Sequence, residues 1–134
     1  MKITAHIDSS KDNHLTTVST NGMEKELTIG SGKDGYGSYA NGAELLFLAL
    51  ATCYCNDIYR EAKKRNINIR NVKVDVSGQF GGEGETGKNI TYKVHIDSDA
   101  SDQEIRDLIL FTDEIAEIHN TLRAGAIVSL LLEK

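Results

Sequence analysis

Two cysteines, Cys53 and Cys55, are the residues of this chain with the greatest capacity for chemistry. A cysteine thiolate is a nucleophile and a target of peroxides, whereas a buried, protonated cysteine is only a small hydrophobic residue. Both cysteines fall inside an apolar stretch, so composition alone favours the inert interpretation. Because residues two positions apart on a helix are separated by about 200°, we expect the thiols on nearly opposite faces. They are not a redox pair unless the helix unwinds.

The histidines do not form the pattern of a metal site. A zinc site needs three or four converging ligands. The four histidines are scattered along the chain, and no C-x-x-C motif accompanies them: His6, His14, His95 and His119. Two glycine-rich stretches, residues 30–35 and 82–88, imitate nucleotide-binding loops, but neither leads directly from a strand into a helix. We therefore predict no metal and no cofactor.

Composition and charge exclude several classes of protein. The chain has 134 residues, of which 40% are hydrophobic and 26% are charged, an ordinary globular balance. Its net charge of −5 disfavours nucleic acid and anionic membranes as partners. No apolar run approaches the roughly 20 residues that span a bilayer, and the first ten residues do not resemble a secretory signal. We expect a cytoplasmic protein whose cysteines are free thiols.

The first third of the chain is expected to form strands. Apolar and polar residues alternate through Ile3–Ile7, which is typical of a half-buried strand. A second strand is predicted over about His14–Thr20, and Asn21-Gly22 favours a tight turn into a third strand over Met23–Ile29. The glycine-rich, polar residues Gly30–Asn41 then predict a long loop.

A central helix is predicted from Glu44 to about Asn66. Its first half, Leu45–Cys55, is apolar on every face, so we expect it to be buried and to surface only near Asp57. One side of a sheet in a chain this short cannot cover such a helix completely. A second subunit could cover the rest, so the sequence indicates an obligate homodimer.

The second half continues the mixed pattern. The valines of residues 72–76 alternate one step out of phase with Ile67 and Ile69, which predicts a bulge near Arg70-Asn71. A loose hairpin, a strand through residues 90–96 and a helix that opens with the capping box of residues 101–104 follow. An apolar strand is predicted over Ala124–Leu132. The fold class is therefore α+β in the order β-β-β-α-β-β-α-β, and residues 1–134 are predicted to form a single domain.

Residues 41–57 (NGAELLFLALATCYCND) resemble the central-helix signature of the OsmC/Ohr family, the osmotically inducible and organic hydroperoxide resistance proteins. That signature is approximately N-P-x-E-L-L-L-A-A-L-A-G-C-x-x-x-D. Glu44, Cys53 and Asp57 match its glutamate, its peroxide-attacking cysteine and its acidic residue. Residues 118–123 (IHNTLR) resemble the end of the family segment C-P-V-S-N-T-L, which brings His119 into the comparison.

The resemblance implies an OsmC-like fold with a buried central helix, an intertwined homodimer and thiol chemistry on organic hydroperoxides. In that family a thiolate attacks the O–O bond, and a second cysteine resolves the resulting sulfenic acid. An arginine from an N-terminal loop, paired with the glutamate, helps to hold the thiolate. The implied catalytic residues are Cys53 and Glu44, with Cys55, Asp57 and His119 as accessory residues.

The sequence departs from the family pattern in three places. Ala116 stands where the second cysteine is expected, and Gly42 replaces the proline before the glutamate. No arginine precedes Arg60, so the loop arginine is missing, and Lys33 is the nearest cation in the long loop. The two-cysteine mechanism therefore cannot operate here in its usual form.

Three functions remain open at this level. The first is a peroxidase or redox sensor with the single reactive residue Cys53, reduced by an external thiol or resolved by Cys55 after local unwinding. The second is a non-catalytic OsmC-like dimer that binds a small hydrophobic ligand in its interface pocket. The third is a structural dimer whose cysteines only fill the core. A thiol pKa below the ordinary value of about 8.5 would favour chemistry, and a raised pKa would favour filler.

Overall fold

A computed structural model describes residues 1–133 and confirms a mixed α+β chain. Within these residues the elements are, in order, β1 (Ile3–Ser10), β2 (Asn13–Thr20), β3 (Met23–Glu26), α1 (Gly42–Lys64), β4 (Ile69–Gln79), β5 (Lys88–Ser98), α2 (Asp102–Ile115) and α3 (Glu117–Arg123). No helix in this part of the chain is long and apolar enough to cross a lipid bilayer. The backbone forms two compact units, Met1–Leu45 and the residues from Leu46 onward, and the single domain remains a prediction.

The first unit contains a three-stranded antiparallel sheet in the order β1-β2-β3. β1 pairs with β2 from Ile3 opposite Thr20 to Ser10 opposite Asn13. The predicted turn is confirmed, because Asn21 and Gly22 adopt φ of 50° and 82°, the left-handed backbone that a two-residue hairpin requires. β3 ends at Glu26, earlier than predicted.

A capping box begins α1 two residues before the predicted start. The side-chain Oδ1 of Asn41 accepts a hydrogen bond from the backbone N–H of Glu44 at 2.8 Å. In return, Oε1 of Glu44 accepts one from the backbone N–H of Asn41 at 2.9 Å. The two bonds satisfy N–H groups that have no partner within the helix. At the other end, Asn66 has a positive φ of 56°, which turns the chain away from the helix axis.

The second unit packs its helices against a hairpin formed by β4 and β5. The predicted bulge is present, because the register shifts between Ile69 and Asn71. Alternate side chains of the hairpin, including Val74 and Val94, pack on the buried core. That core comes from α1, α2 and the junction before α3: Tyr54, Ile58, Ala62, Leu108 and Ala116.

The burial of α1 differs from the prediction. Its buried residues lie on one face: Leu50, Tyr54, Asp57, Ile58, Glu61 and Ala62. Leu48, in the apolar first half, is 61% exposed, whereas Asp57 is only 4% exposed. The expectation that the helix surfaces near Asp57 is therefore wrong, whereas the exposure of Leu48 agrees with the expectation that a single chain does not cover α1 completely. The reason is that the hairpin and the later helices pack on one side of α1 only.

The end of the chain also differs. The capping box of α2 is confirmed, but α3 was not predicted, and the predicted strand over Ala124–Leu132 is wrong for the single chain. Within the described residues this segment has no strand partner, and its apolar side chains are exposed, as with Ile127 at 93% and Leu131 at 87%. A strand exists only when another strand satisfies its backbone hydrogen bonds, and apolar alternation cannot supply that partner.

Leu108 tests which side of α2 holds the second unit together. The side chain of Leu108 is completely buried, whereas that of Leu110 on the same helix is 52% exposed. Leu108→Ala should lower the free energy of unfolding by about 2–5 kcal/mol, because it leaves a cavity in the core. Leu110→Ala should change it by about 0.5 kcal/mol or less. Urea denaturation followed by circular dichroism measures both, and equal losses would contradict this packing.

Candidate functional site

Cys53 lies in the middle of α1, partly buried, with two carboxylates beside its sulfur. Its Sγ is 3.7 Å from Oδ2 of Asp57, one turn later on the same helix. It is also 3.8 Å from Oε2 of Glu117, the first residue of α3. The structure therefore brings Cys53 and Asp57 together, as their spacing of four residues on one helix allows, and adds Glu117 from a distant part of the sequence.

These surroundings disfavour the thiolate form of Cys53. Burial raises the pKa of the Cys53 thiol, and the negative charges of Asp57 and Glu117 raise it further. The backbone N–H of Ile118 opposes them, because it can donate a hydrogen bond to the sulfur, but the net direction is upward. At neutral pH the protonated thiol predominates, so the nucleophilic thiolate form of Cys53 is scarce.

Asp57 is held in place by Arg60. Oδ1 of Asp57 accepts a hydrogen bond from Nη1 of Arg60 at 2.8 Å, while its other oxygen faces Cys53. Burial raises the pKa of Asp57, and the nearby Glu117 raises it further, although the positive charge of Arg60 opposes both. Arg60 also donates from Nε to Glu61, so its charge is shared between two carboxylates.

The same three side chains could hold a metal ion. Cys53, Asp57 and Glu117 each offer a ligand atom, and these atoms lie within 4.8 Å of one another. A thiolate with two carboxylates is a mixed ligand set that suits a divalent transition metal. The sequence did not reveal this grouping, because the contact between Cys53 and Glu117 joins residues 64 positions apart.

Cys55 faces different surroundings, as the helix geometry predicts. It lines a shallow cavity of about 330 Å³ together with side chains of α1 and β4: Ala51, Thr52, Asn56, Val72 and Val74. Both cysteines are free thiols. The structure therefore does not bring the two sulfurs together.

Glu44 has a structural part in the capping box of α1. Its hydrogen bonds go to Asn41, and within residues 1–133 none links it to Cys53. The two residues are nine positions apart, which corresponds to roughly two and a half helical turns. A catalytic role for Glu44 remains a prediction.

His119 is buried against aromatic rings rather than solvated. Its exposed fraction is 5%, and its ring lies 4.7 Å from that of Tyr92 and 5.9 Å from that of Tyr54, measured between centroids. Neither ring nitrogen has a hydrogen-bond partner among the described residues. Burial lowers the pKa of His119, and the nearby positive charge of Arg123 lowers it further, so the imidazole is neutral at neutral pH.

Glu117 is the main site residue that sequence reasoning missed. It directly follows Ala116, the position that the resemblance matches to the second cysteine, and Ala116 is completely buried. The side chain that reaches Cys53 therefore belongs to the residue next to the matched position. The sequence contained one hint to Glu117, its position directly after Ala116. Nothing about a glutamate at that position indicated that it would reach Cys53.

Comparison with known structures shows the fold. An OsmC-like protein from Mycoplasma pneumoniae is 22% identical and has a TM-score of 0.62, covering 93% of this chain and 88% of that one. An organic hydroperoxide resistance protein from Elizabethkingia anophelis is 18% identical at a TM-score of 0.62, with coverages of 93% and 90%. An organic hydroperoxide resistance protein from Legionella pneumophila is 18% identical and has a TM-score of 0.58, covering 91% of this chain and 90% of that one.

Sequence comparison gives the family. No curated protein matches the chain by sequence. The family model described as OsmC-like protein matches residues 35–130, which include α1, the hairpin, α2 and α3. This match covers most of the chain and contains both the cysteine signature and the segment around His119. The chain therefore belongs to the OsmC-like family.

Proposed function

We propose that this protein is a thiol-dependent peroxidase or redox sensor that acts on organic hydroperoxides through the single reactive residue Cys53. The observation that carries the proposal is the position of Cys53, partly exposed and in contact with the start of α3. Two structures with the same fold are named organic hydroperoxide resistance proteins, which supports this substrate class.

The proposed reaction consumes one thiolate and one hydroperoxide. The sulfur of Cys53 attacks the terminal oxygen of R–O–O–H, the S–O bond forms and the O–O bond breaks. Sulfur is oxidised to a sulfenic acid, and the alkoxide leaves as an alcohol after it takes a proton. The proton that the thiol releases when it ionises balances the one that the alkoxide takes, and solvent can carry it because Cys53 is only partly buried. An external dithiol then reduces the sulfenic acid, giving its own disulfide and water.

The raised pKa of Cys53 counts toward the function in which the cysteines only fill the core, so the proposed activity is a slow one. That pKa limits the thiolate fraction, and Ala116 provides no thiol to resolve the sulfenic acid. A slow thiol without a resolving partner suits a sensor, or a peroxidase that depends on an outside reductant. We place this activity in the cytoplasm, because thiol reductants keep cysteines reduced there.

The second candidate is a non-catalytic OsmC-like dimer that binds a small hydrophobic ligand in its interface pocket. The two carboxylates around Cys53 favour it, since they suppress the thiolate on which catalysis depends. In this function Cys53 only lines the site. Oxidation of Cys53 by an organic hydroperoxide supports the first candidate, and a Cys53 that is not oxidised supports the second.

Removing the charge of Glu117 should make Cys53 more reactive. Glu117→Gln deletes a negative charge 3.8 Å from the sulfur, so the thiol pKa should fall and the thiolate fraction at neutral pH should rise. We expect alkylation of Cys53 by iodoacetamide to accelerate about three- to tenfold. The wild-type rate should continue to rise as the pH is increased beyond neutral.

Two controls accompany this measurement. Glu114→Gln removes a charge from an exposed position on α2, and Cys55 serves as an internal reference in the same mass spectra. The alkylation rate of Cys53 should not change in the Glu114→Gln variant. The alkylation rate of Cys55 should not change in either variant. If Cys53 in the Glu117→Gln variant were alkylated at the wild-type rate or more slowly, the carboxylate would not control the thiol.

Organic hydroperoxide should consume one thiol per chain and then stop. Cumene hydroperoxide should convert Cys53 to a sulfenic acid that dimedone traps, because Ala116 cannot form a disulfide with it. Dithiothreitol should restore turnover. Cys53→Ser should abolish the reaction and Cys55→Ser should preserve it. Repeated turnover without any added thiol, or the opposite pattern of variants, would overturn the single-cysteine mechanism.

Glu44 can be examined in the same assay. Glutamine keeps the hydrogen bonds of a capping box but carries no charge, so Glu44→Gln separates the cap from a role at the thiol. We expect slower oxidation of Cys53 with little change in stability. An unchanged rate would leave Glu44 with the capping role alone.

We also propose that two chains form a homodimer. The support is the exposed apolar surface: Leu48 on α1 is 61% exposed, and the apolar segment before the end of the chain has no strand partner within the described residues. Sedimentation at micromolar concentration should show a dimer. Leu48→Glu should shift it toward monomer, whereas Lys63→Glu at an exposed site on the same helix should not. A stable wild-type monomer would refute the dimer.

A further inference from the structure

Cys53, Asp57 and Glu117, which we call the thiol–carboxylate cluster, have the spacing of a tetrahedral zinc site. Zinc binds sulfur at about 2.3 Å and carboxylate oxygen at about 2.0–2.2 Å, so tetrahedral angles give S···O separations of about 3.5–3.7 Å. The sulfur of Cys53 lies 3.7 Å from Oδ2 of Asp57 and 3.8 Å from Oε2 of Glu117. All three ligand atoms lie within 4.8 Å of one another, and the exposed side chain of Glu117 is free to adjust. Small shifts therefore let the three side chains share one ion.

Hydrogen bonding does not satisfy the whole cluster. A thiol carries one hydrogen, so the S–H of Cys53 can donate to only one of the two carboxylates at a time. Arg60 divides its charge between Asp57 and Glu61, and the described part of the chain contains no salt bridge to Glu117. A divalent cation accepts lone pairs from all three groups at once and offsets their negative charge.

The packing of α1 and α3 holds the ligand atoms in place. Asp57 follows Cys53 by one helical turn and is only 4% exposed. Nη1 of Arg60 donates a hydrogen bond to Oδ1 of Asp57 at 2.8 Å, which leaves Oδ2 directed at the sulfur. Such outer hydrogen bonds orient the carboxylate ligands of metal sites. Glu117 directly follows Ala116, which is completely buried, so the start of α3 is anchored beside the sulfur.

The ligand types favour zinc over magnesium or calcium. Mg²⁺ and Ca²⁺ prefer six or more oxygen ligands, whereas a thiolate favours softer ions, of which Zn²⁺ also accepts carboxylates. Three protein ligands leave the fourth tetrahedral position to water, which reaches the cluster because Glu117 is exposed and Cys53 is only partly buried. No histidine belongs to the cluster, so the scattered histidines of the sequence did not indicate it.

We propose that Cys53, Asp57 and Glu117 bind one Zn²⁺ ion per chain. The ion takes the sulfur lone pair with which Cys53 attacks an electrophile, so bound zinc shields the thiol. Binding requires only the three ligand atoms and does not depend on the proposed peroxidase activity.

Cobalt titration of the metal-free protein tests the site, because Co²⁺ bound to a thiolate absorbs in the near ultraviolet. We expect a thiolate-to-cobalt charge-transfer band that saturates at one Co²⁺ per chain and disappears when Zn²⁺ is added. The absence of this band would refute the site. Because absorption does not depend on peroxide, the result is independent of whether Cys53 is oxidised by a hydroperoxide.

Four variants identify the ligands, with circular dichroism as the check on folding. Cys53→Ser should remove the charge-transfer band, and Cys55→Ser should keep it. Glu117→Gln should weaken Co²⁺ binding about tenfold or more, since the loss of groups that only orient a ligand already costs about tenfold. Glu114→Gln, at an exposed position on α2, is the matched control and should bind as the wild type does. Loss of the band in Cys55→Ser, or wild-type affinity in Glu117→Gln, would contradict the proposed ligand set.

Shielding of the thiol provides a second readout. Zn²⁺ should slow the alkylation of Cys53 by iodoacetamide in proportion to the occupied fraction of the site, while Cys55 in the same molecules reacts as before. Glu117→Gln should lose most of this protection at the same zinc concentration, when each variant is compared with its own zinc-free rate. Equal slowing at both cysteines would show that zinc binds thiols without a built site.

Discussion

Tyr54 is completely buried, and its contacts hold the second unit around α1. Its hydroxyl donates a hydrogen bond to the carbonyl of Ile109 at 2.8 Å, which ties α1 to α2. Its ring packs edge-to-face against Tyr92 of β5 and lies next to His119 of α3. One side chain therefore contacts three other elements of the unit. Because the adjacent residue is Cys53, the same packing determines which groups surround the thiol.

The position of Cys53 and its reactivity are set by different features. Packing of α3 on α1 brings the start of α3 to the sulfur, and with it come one favourable group, the N–H of Ile118, and one unfavourable group, the carboxylate of Glu117. Burial and the carboxylates outweigh the single N–H, so the thiol pKa rises. The match to the family signature selects Cys53 as the candidate residue, whereas the local electrostatics set the fraction of its thiol that is ionised.

Local patterns in the sequence predicted the elements whose causes are local. The Asn21-Gly22 turn, the bulge near Arg70-Asn71 and the capping box at Ser101 each depend on a few adjacent residues, and all are present. The predictions that failed concern which other parts of the molecule pack against a segment. The burial of Asp57 and the lack of a strand partner for Ala124–Leu132 within the described residues depend on what packs against them, which a pattern along the chain does not specify.

The sequence by itself determined the mixed α+β order, the family resemblance through Cys53 and Asp57, and the separation of the two thiols, since a fixed helical rotation dictates it. Only the tertiary structure decided that Glu117 lies beside the sulfur and that His119 is buried without a hydrogen-bond partner. The physical reason is distance along the chain: Glu117 is 64 residues from Cys53, and its effect on the thiol appears only when folding reduces that separation to 3.8 Å. Burial and Coulomb interactions depend on the distance between groups in space. Spacing along the sequence predicts that distance only for residues in the same helix or strand.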